Sequence, residues 1–202
     1  MDAISLLQKD HREVEALFKR FERLGRGNRA QKGRVVDRII DALARHAAIE
    51  EMFLYPAVRE RIHSKEALAL ESLEEHHVVK WLLYELDRLR PSDERYDAKL
   101  CVLAENMRLH VKKEERELFP ALRRSLSTQE LTDLGVLMAE MKKAAPTRPH
   151  PRAPDTPPGN LFAGTIAGLL DRGRDLLRGE LRAPRPMAAR TSRSGGRKKA
   201  KK

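Results

Sequence analysis

The sequence predicts an all-α protein: an antiparallel up-down four-helix bundle with a short fifth helix, then a proline-rich linker and a basic C-terminal tail. Three observations predict it. Charged residues make up 35% of the chain and aromatics 4%, with Leu, Ala, Glu, Lys and Arg dominant, a mixture that favours helix over sheet. Apolar residues recur at steps of three and four through four long segments. The connections between those segments are short, which makes chain neighbours antiparallel.

The first helix covers residues 2–24, where Ile4, Leu7, His11, Val14, Phe18 and Phe21 form one stripe and Gly25-Arg26-Gly27-Asn28 ends it. The second starts near Ala30 and carries Val36, Ile39, Ile40, Leu43, His46 and Glu50. Pro56 disturbs it; because a helical pattern continues to Ile62, a bend is expected there rather than a stop. Ser64 is the expected N-cap of the third helix, with stripe Leu73, His76, Val79, Leu83 and Leu86 and a stop at Pro91. Ser92 is the expected cap of the fourth, with stripe Leu100, Leu103, Met107, His110, Glu114 and Leu118. Ser127-Thr-Gln-Glu130 reads as a capping box opening the fifth helix, which runs to about Lys143.

The bundle is assigned to residues 1–145, a proline-rich extended linker to 146–160, an amphipathic helical segment to 161–182 and a disordered basic tail to 183–202. Net charge divides along the same line. Residues 147–202 carry 14 Lys and Arg against 4 Asp and Glu, whereas residues 1–146 carry 27 against 26. An argument from basicity toward DNA or an anionic membrane therefore concerns the tail alone. The 161–182 segment either lies on a membrane surface or docks on the bundle. Cys101 is the single cysteine, which excludes an internal disulfide and suits a reducing cytoplasm. The start Met1-Asp2-Ala3-Ile4 shows no basic and apolar leader, and no apolar run approaches a bilayer span, so a soluble cytoplasmic protein is expected.

One segment occurs twice. Residues 46–56 and 110–120 both read H-x-x-x-E-E-x-x-L-[YF]-P, 64 residues apart, and the acid–histidine pairs Asp10-His11 and Glu75-His76 precede them 65 residues apart. On a helix, side chains four apart lie roughly 40° round the axis, so His46 with Glu50, and His110 with Glu114, can serve one metal. Glu51 and Glu115 point roughly 140° from their histidines and suit a solvated face or one that braces the ligands. All four histidines interrupt apolar stripes, and buried carboxylates beside neutral imidazoles are costly without a compensating cation. Imidazole and carboxylate without thiolate suit iron, manganese or zinc. The zinc-protease pattern H-E-x-x-H is absent from the sequence.

Asp10-His11, both H-x-x-x-E segments with their [YF]-P endings, and Glu75-His76 resemble the hemerythrin-like HHE cation-binding family over residues 1–125. The resemblance implies His11, His46, Glu50, His76, His110 and Glu114 as iron ligands, with Glu50 and Glu114 bridging a non-haem di-iron centre of two irons per chain; a single iron stays open. It implies reaction with peroxide, oxygen or nitric oxide, with catalase-like peroxide breakdown foremost. Family members differ on whether the last carboxylate lies four or five residues after its histidine, which keeps Glu115 in reserve. His77 and Glu15 are the other reserve ligands. Oxygen-carrying members have a further histidine four residues after the one in the third helix; here that position is Lys80. The departure implies an open or water-filled position and argues against simple oxygen carriage. Tyr55 and Trp81 are expected to pack, with shielding of the site as the sharper role. The alternative function is an iron or oxygen sensor, or an iron-handling module, whose tail contacts DNA or membrane.

Overall fold

The structure is a computed structural model and describes residues 1–25 and 27–152. Its helices are α1 (Ala3–Glu22), α2 (Arg29–Ile49), α3 (Tyr55–Arg61), α4 (Glu66–Leu86), α5 (Tyr96–Lys113), α6 (Phe119–Ser125) and α7 (Thr128–Ala144). No strand occurs among the described residues. α1, α2 with α3, α4, and α5 with α6 make the four antiparallel members of a helical bundle. α1 packs on α2, α4 on α5, and α7 covers α1 and α2 from outside. α7, with 17 residues against 18 in α5, is shorter than each of the four main bundle helices, as expected.

The prolines produce neither a stop nor a simple bend. A π-helical turn, Glu50–Leu54, joins α2 to α3, and a second, Glu114–Leu118, joins α5 to α6. In them the Tyr55 N–H donates to the Glu50 carbonyl and the Phe119 N–H to the Glu114 carbonyl, each five residues back. That extra residue puts Pro56 and Pro120 in the first turn of the following helix, where a missing N–H is tolerated.

The helix starts were read less well. Asp2 caps α1 by accepting from the Ser5 N–H at 2.9 Å, and Ser127 with Glu130 form the expected capping box of α7. Ser64, however, sits in a 3₁₀ turn, His63–Lys65, and α4 begins after it without a side-chain cap. Ser92 does not cap α5 either. There Asp93 accepts from the Arg90 N–H at 2.7 Å, tightening the turn round Pro91, and α5 starts only at Tyr96.

Two apolar clusters fill the bundle. One gathers Ile4, Leu7, Ile49, Phe53, Leu118, Phe119 and Met138; the other gathers Val14, Phe18, Ile39, Leu43, Leu83, Leu103 and Met107. Each large side chain so buried contributes about 1.5–3 kcal/mol. Between the clusters lies a layer of buried polar residues that includes all four stripe histidines. α7 reaches α1 closely because Gly135 has no side chain: a Cβ there would lie 2.5 Å from the Met1 carbonyl oxygen. The linker assigned to 146–160 begins packed on the bundle, with Pro149 and Pro151 buried and Arg148 3.3 Å from Asp87. The remaining linker residues, the 161–182 segment and the 183–202 tail lie outside the described residues.

Candidate metal centre

Each of the four bundle members delivers one histidine to the polar layer: His11 from α1, His46 from α2, His76 from α4 and His110 from α5. Glu50 and Glu114 are the first residues of the two π turns. All six are buried, and both glutamates are fully so. The ligand atoms fall into two overlapping groups. His11, His46, Glu50 and Glu114 form one, and Glu50, His76 and His110 the other, with the atoms of each group within 4.8 Å of one another. Glu50 Oε2 lies 3.1 Å from His46 Nε2 and 3.4 Å from His76 Nε2, so a single carboxylate reaches both groups. Glu114 Oε2 spans them in the same way, 3.3 Å from His11 Nε2 and 3.5 Å from His110 Nε2.

The outward nitrogen of every histidine faces an acid. His11 Nδ1 bonds Glu115 at 2.9 Å, His76 Nδ1 bonds Glu51 at 3.1 Å, and His110 Nδ1 bonds Glu75 at 2.8 Å. His46 Nδ1 faces Asp10 at 3.6 Å. Every one of these acids adjoins a cluster residue in sequence, yet braces a histidine on another helix. The acids also carry cations: Lys142 donates to Asp10, Lys80 to Glu51 and Lys113 to Glu75. An Nδ1 proton held by a carboxylate leaves the Nε2 lone pair pointing inward, the tautomer that a metal needs.

Electrostatics agrees with this assignment for His46 and His76, whereas at His11 burial is outweighed by Glu114 and Glu115, which raise the imidazole. Burial holds His46 down at about 4 and, with the neighbouring His110, drives His76 well below the ordinary imidazole range. Burial and the Glu114 charge push Glu50 well above the ordinary carboxylate range. Burial raises Asp10, but His46 and Lys142 outweigh it and hold the carboxyl low. The His110 hydrogen bond, joined by Lys113, does the same for Glu75.

The residues fit a metal on the evidence of their own unmet bonds. His11 Nε2, His46 Nε2, both oxygens of Glu50 and Glu114 Oε2 are buried without a hydrogen-bond partner. His76 Nε2 and His110 Nε2 stand 3.2 Å apart; with both Nδ1 protons turned outward, two lone pairs face each other. Orphaned acceptors of this kind cost about 1–3 kcal/mol each in a protein interior. A cation among them removes the penalty.

Sequence reasoning missed one contributor and the function of others. The Tyr55 hydroxyl, at the start of α3, donates to Glu114 Oε1 at 2.9 Å and lies 3.1 Å from His76 Nε2. It stands beside the His76–His110 pair, where the departure at Lys80 had implied an open position. Lys80 itself is turned to Glu51, 2.8 Å away. Among the reserve ligands, Glu115 is on the far nitrogen of His11, His77 accepts from the Trp81 indole at 3.2 Å, and Glu15 bonds Arg108 at 3.0 Å. The opening is on the other half: a cavity of about 310 Å³ reaches His11 and His46 from the surface.

Residues 2–122 match the Hemerythrin HHE cation binding domain. An uncharacterised hemerythrin-like protein of Schizosaccharomyces pombe is 28% identical over 170 residues, covering 84% of this chain and 83% of that protein. A DNA nickase of a Nostoc species is 29% identical over 130 residues, which are 64% of this chain but only 36% of that longer protein. Among solved structures, a hemerythrin HHE cation binding domain-containing protein from Mycobacterium kansasii superposes with a TM-score of 0.61 at 21% identity. The match covers 90% of this chain and 99% of that one, and at that identity it speaks for the fold alone.

Proposed function

This chain belongs to the hemerythrin HHE cation-binding domain family, and from that premise we propose that its polar layer holds two iron ions for reaction with peroxide, oxygen or nitric oxide, peroxide breakdown foremost. The observation that carries the reading is the pair of ligand groups that share Glu50, with His11 Nε2, His46 Nε2, both Glu50 oxygens and Glu114 Oε2 buried without partners. His11 and His46 would hold one iron, His76 and His110 the other, with Glu50 and Glu114 bridging. Tyr55 Oη is a further oxygen donor on the His76–His110 side.

Bound iron supplies the electron transfer. The protein's own groups do the rest. Asp10, Glu51, Glu75 and Glu115 orient the imidazoles, and apolar residues close the layer above and below. Tyr55 keeps its proton at Oη, since burial and the adjacent Glu114 and Glu50 raise the phenol well above its ordinary range, and directs it to Glu114 Oε1. Small reactants reach His11 and His46 through the cavity between α1 and α5. The test is metal content per chain by mass spectrometry on protein prepared without chelator. About two irons are expected for a site of this type; none after anaerobic ferrous reconstitution would overturn the reading.

A second reading, a sensor or iron-handling module whose basic residues contact DNA or an anionic membrane, is supported by the concentration of charge in residues 147–202 and by the DNA nickase among the relatives. Deleting those residues separates the two: unchanged peroxide turnover with lost DNA or vesicle binding assigns separate roles, and unchanged binding sinks the second reading. Among the described residues no helix is long and apolar enough to cross a membrane.

A further inference from the structure

We propose that the cavity between α1, α2 and α5 is a binding site for an anionic amphiphile, a carboxylate with an apolar chain. The proposal rests on the reading above only in that this ligand would lie over His11 and His46. Size is the first argument. The cavity measures about 310 Å³, at the lower end of the roughly 300–1,000 Å³ range of small-molecule sites. A water takes roughly 30 Å³ in the liquid, so the space far exceeds what peroxide, oxygen or nitric oxide requires. The second argument is the wall. Val14, Phe18, Leu43, Met107 and Val111 line the cavity, a surface that gains from burying a hydrocarbon chain and offers nothing to a sugar or a nucleotide base.

Charge at the mouth selects the other end of the ligand. Arg108 and Lys112 on α5 and Arg116 on the π turn that follows it all line the cavity. The Arg108 guanidinium is already engaged by Glu15 at 3.0 Å and Glu22 at 2.8 Å. The acids at the mouth are likewise engaged, Glu15 by Arg108 and Lys19 and Glu115 by His11. Lys112 and Arg116 are exposed, and neither forms an ion pair among the described residues. Lys112 and Arg116 over an apolar floor match a carboxylate head on an alkyl chain, with the arginine offering paired donors to the two carboxylate oxygens.

The test is calorimetric titration of decanoate, with decanol as the uncharged control, into the full-length iron-loaded protein, with iron measured on the same sample. One decanoate per chain is expected. The double variant K112A/R116A, confined to exposed side chains, is expected to weaken decanoate about tenfold and to leave decanol unchanged. V111W, which fills the cavity from its half-buried wall, is expected to remove both. Iron-loaded protein that binds no decanoate overturns the proposal and leaves the di-iron reading standing. Binding that neither variant alters also overturns it, because the ligand then sits elsewhere, on the basic C-terminal residues for example. Binding with the expected response to both variants, in protein that takes up no iron, supports the cavity assignment while removing the di-iron reading.

Discussion

Glu75 accepts the Nδ1 proton of His110 at 2.8 Å and a further bond from Lys113, so one half-buried carboxylate fixes both the tautomer and the aim of a buried ring. Replacing it by Gln keeps the shape and a hydrogen bond but removes the charge that favours an inward Nε2 lone pair. Glu75→Gln is expected to lower iron affinity about 10–100-fold with little loss of helix content, as read by competition with a chelator; unchanged affinity would mean that the bond has no part in holding metal. Lys80 makes the opposite demand. Lys80 is 9% exposed and its ammonium bonds Glu51, which is 3% exposed. Lys80→Met removes a cation from a buried carboxylate and is expected to destabilise the protein by about 3–5 kcal/mol, measured by urea unfolding, with much of that recovered in K80M/E51Q. At this scale the pairing of His46 with Glu50 and of His110 with Glu114 was legible, because spacing along a single helix places them together. Glu51 and Glu115 were read as a solvated or bracing face, but the ring that each meets was not legible. A residue five past a histidine points away from it, and which ring it meets depends on the neighbouring helix.

At the scale of elements, the apolar stripes located the four bundle helices, since a period of three to four is hard to produce otherwise. Starts were harder, because a serine before a helix is only one of several ways to end a turn: Asp93 and a 3₁₀ turn took the places assigned to Ser92 and Ser64. The π turns were hidden for a related reason. A proline announces a disturbance, and only the carbonyl left to Tyr55 or Phe119 decides its form. The α7 capping box was read correctly and gives a pH prediction. The Ser127 N–H, aided by the Ser127 hydroxyl and Arg61 and opposed by burial, holds the Glu130 carboxyl below its ordinary value. A lowered carboxyl contributes stability above its unfolded value of roughly 4.3, and the contribution fades as pH falls through the lower folded value. Glu130→Gln is therefore expected to melt below the parent at pH 7, by the equivalent of about 1 kcal/mol. The gap in Tm should close as pH falls below about 4.3; a gap that widens toward acid would contradict the capping assignment.

Across the whole molecule, the duplicated sequence becomes an approximate twofold in which corresponding residues exchange partners. Glu115 braces His11 while Glu51 braces His76, and Asp10 faces His46 while Glu75 braces His110. The symmetry fails where the two [YF]-P endings differ. Tyr55 places a hydroxyl 3.1 Å from His76 Nε2, whereas Phe119 stacks on His11 with ring centroids 5.7 Å apart and has no oxygen to offer. The cavity breaks it again, opening on His11 and His46 and not on the other pair. Two irons bound here would thus have like nitrogen and carboxylate donors but unlike surroundings. Mössbauer spectra of the iron-57 protein are expected to show two quadrupole doublets of equal area, and Tyr55→Phe should draw them together by removing the one oxygen that distinguishes the donors. That variant leaves the Glu114 oxygen without its hydroxyl partner, which in metal-free protein costs about 1–3 kcal/mol, so the melting temperature of the apo form provides an internal control that the change was felt. A single doublet in the parent protein would mean that the asymmetry of tyrosine and cavity does not reach the metals; two doublets unmoved by Tyr55→Phe would assign it to the cavity side instead.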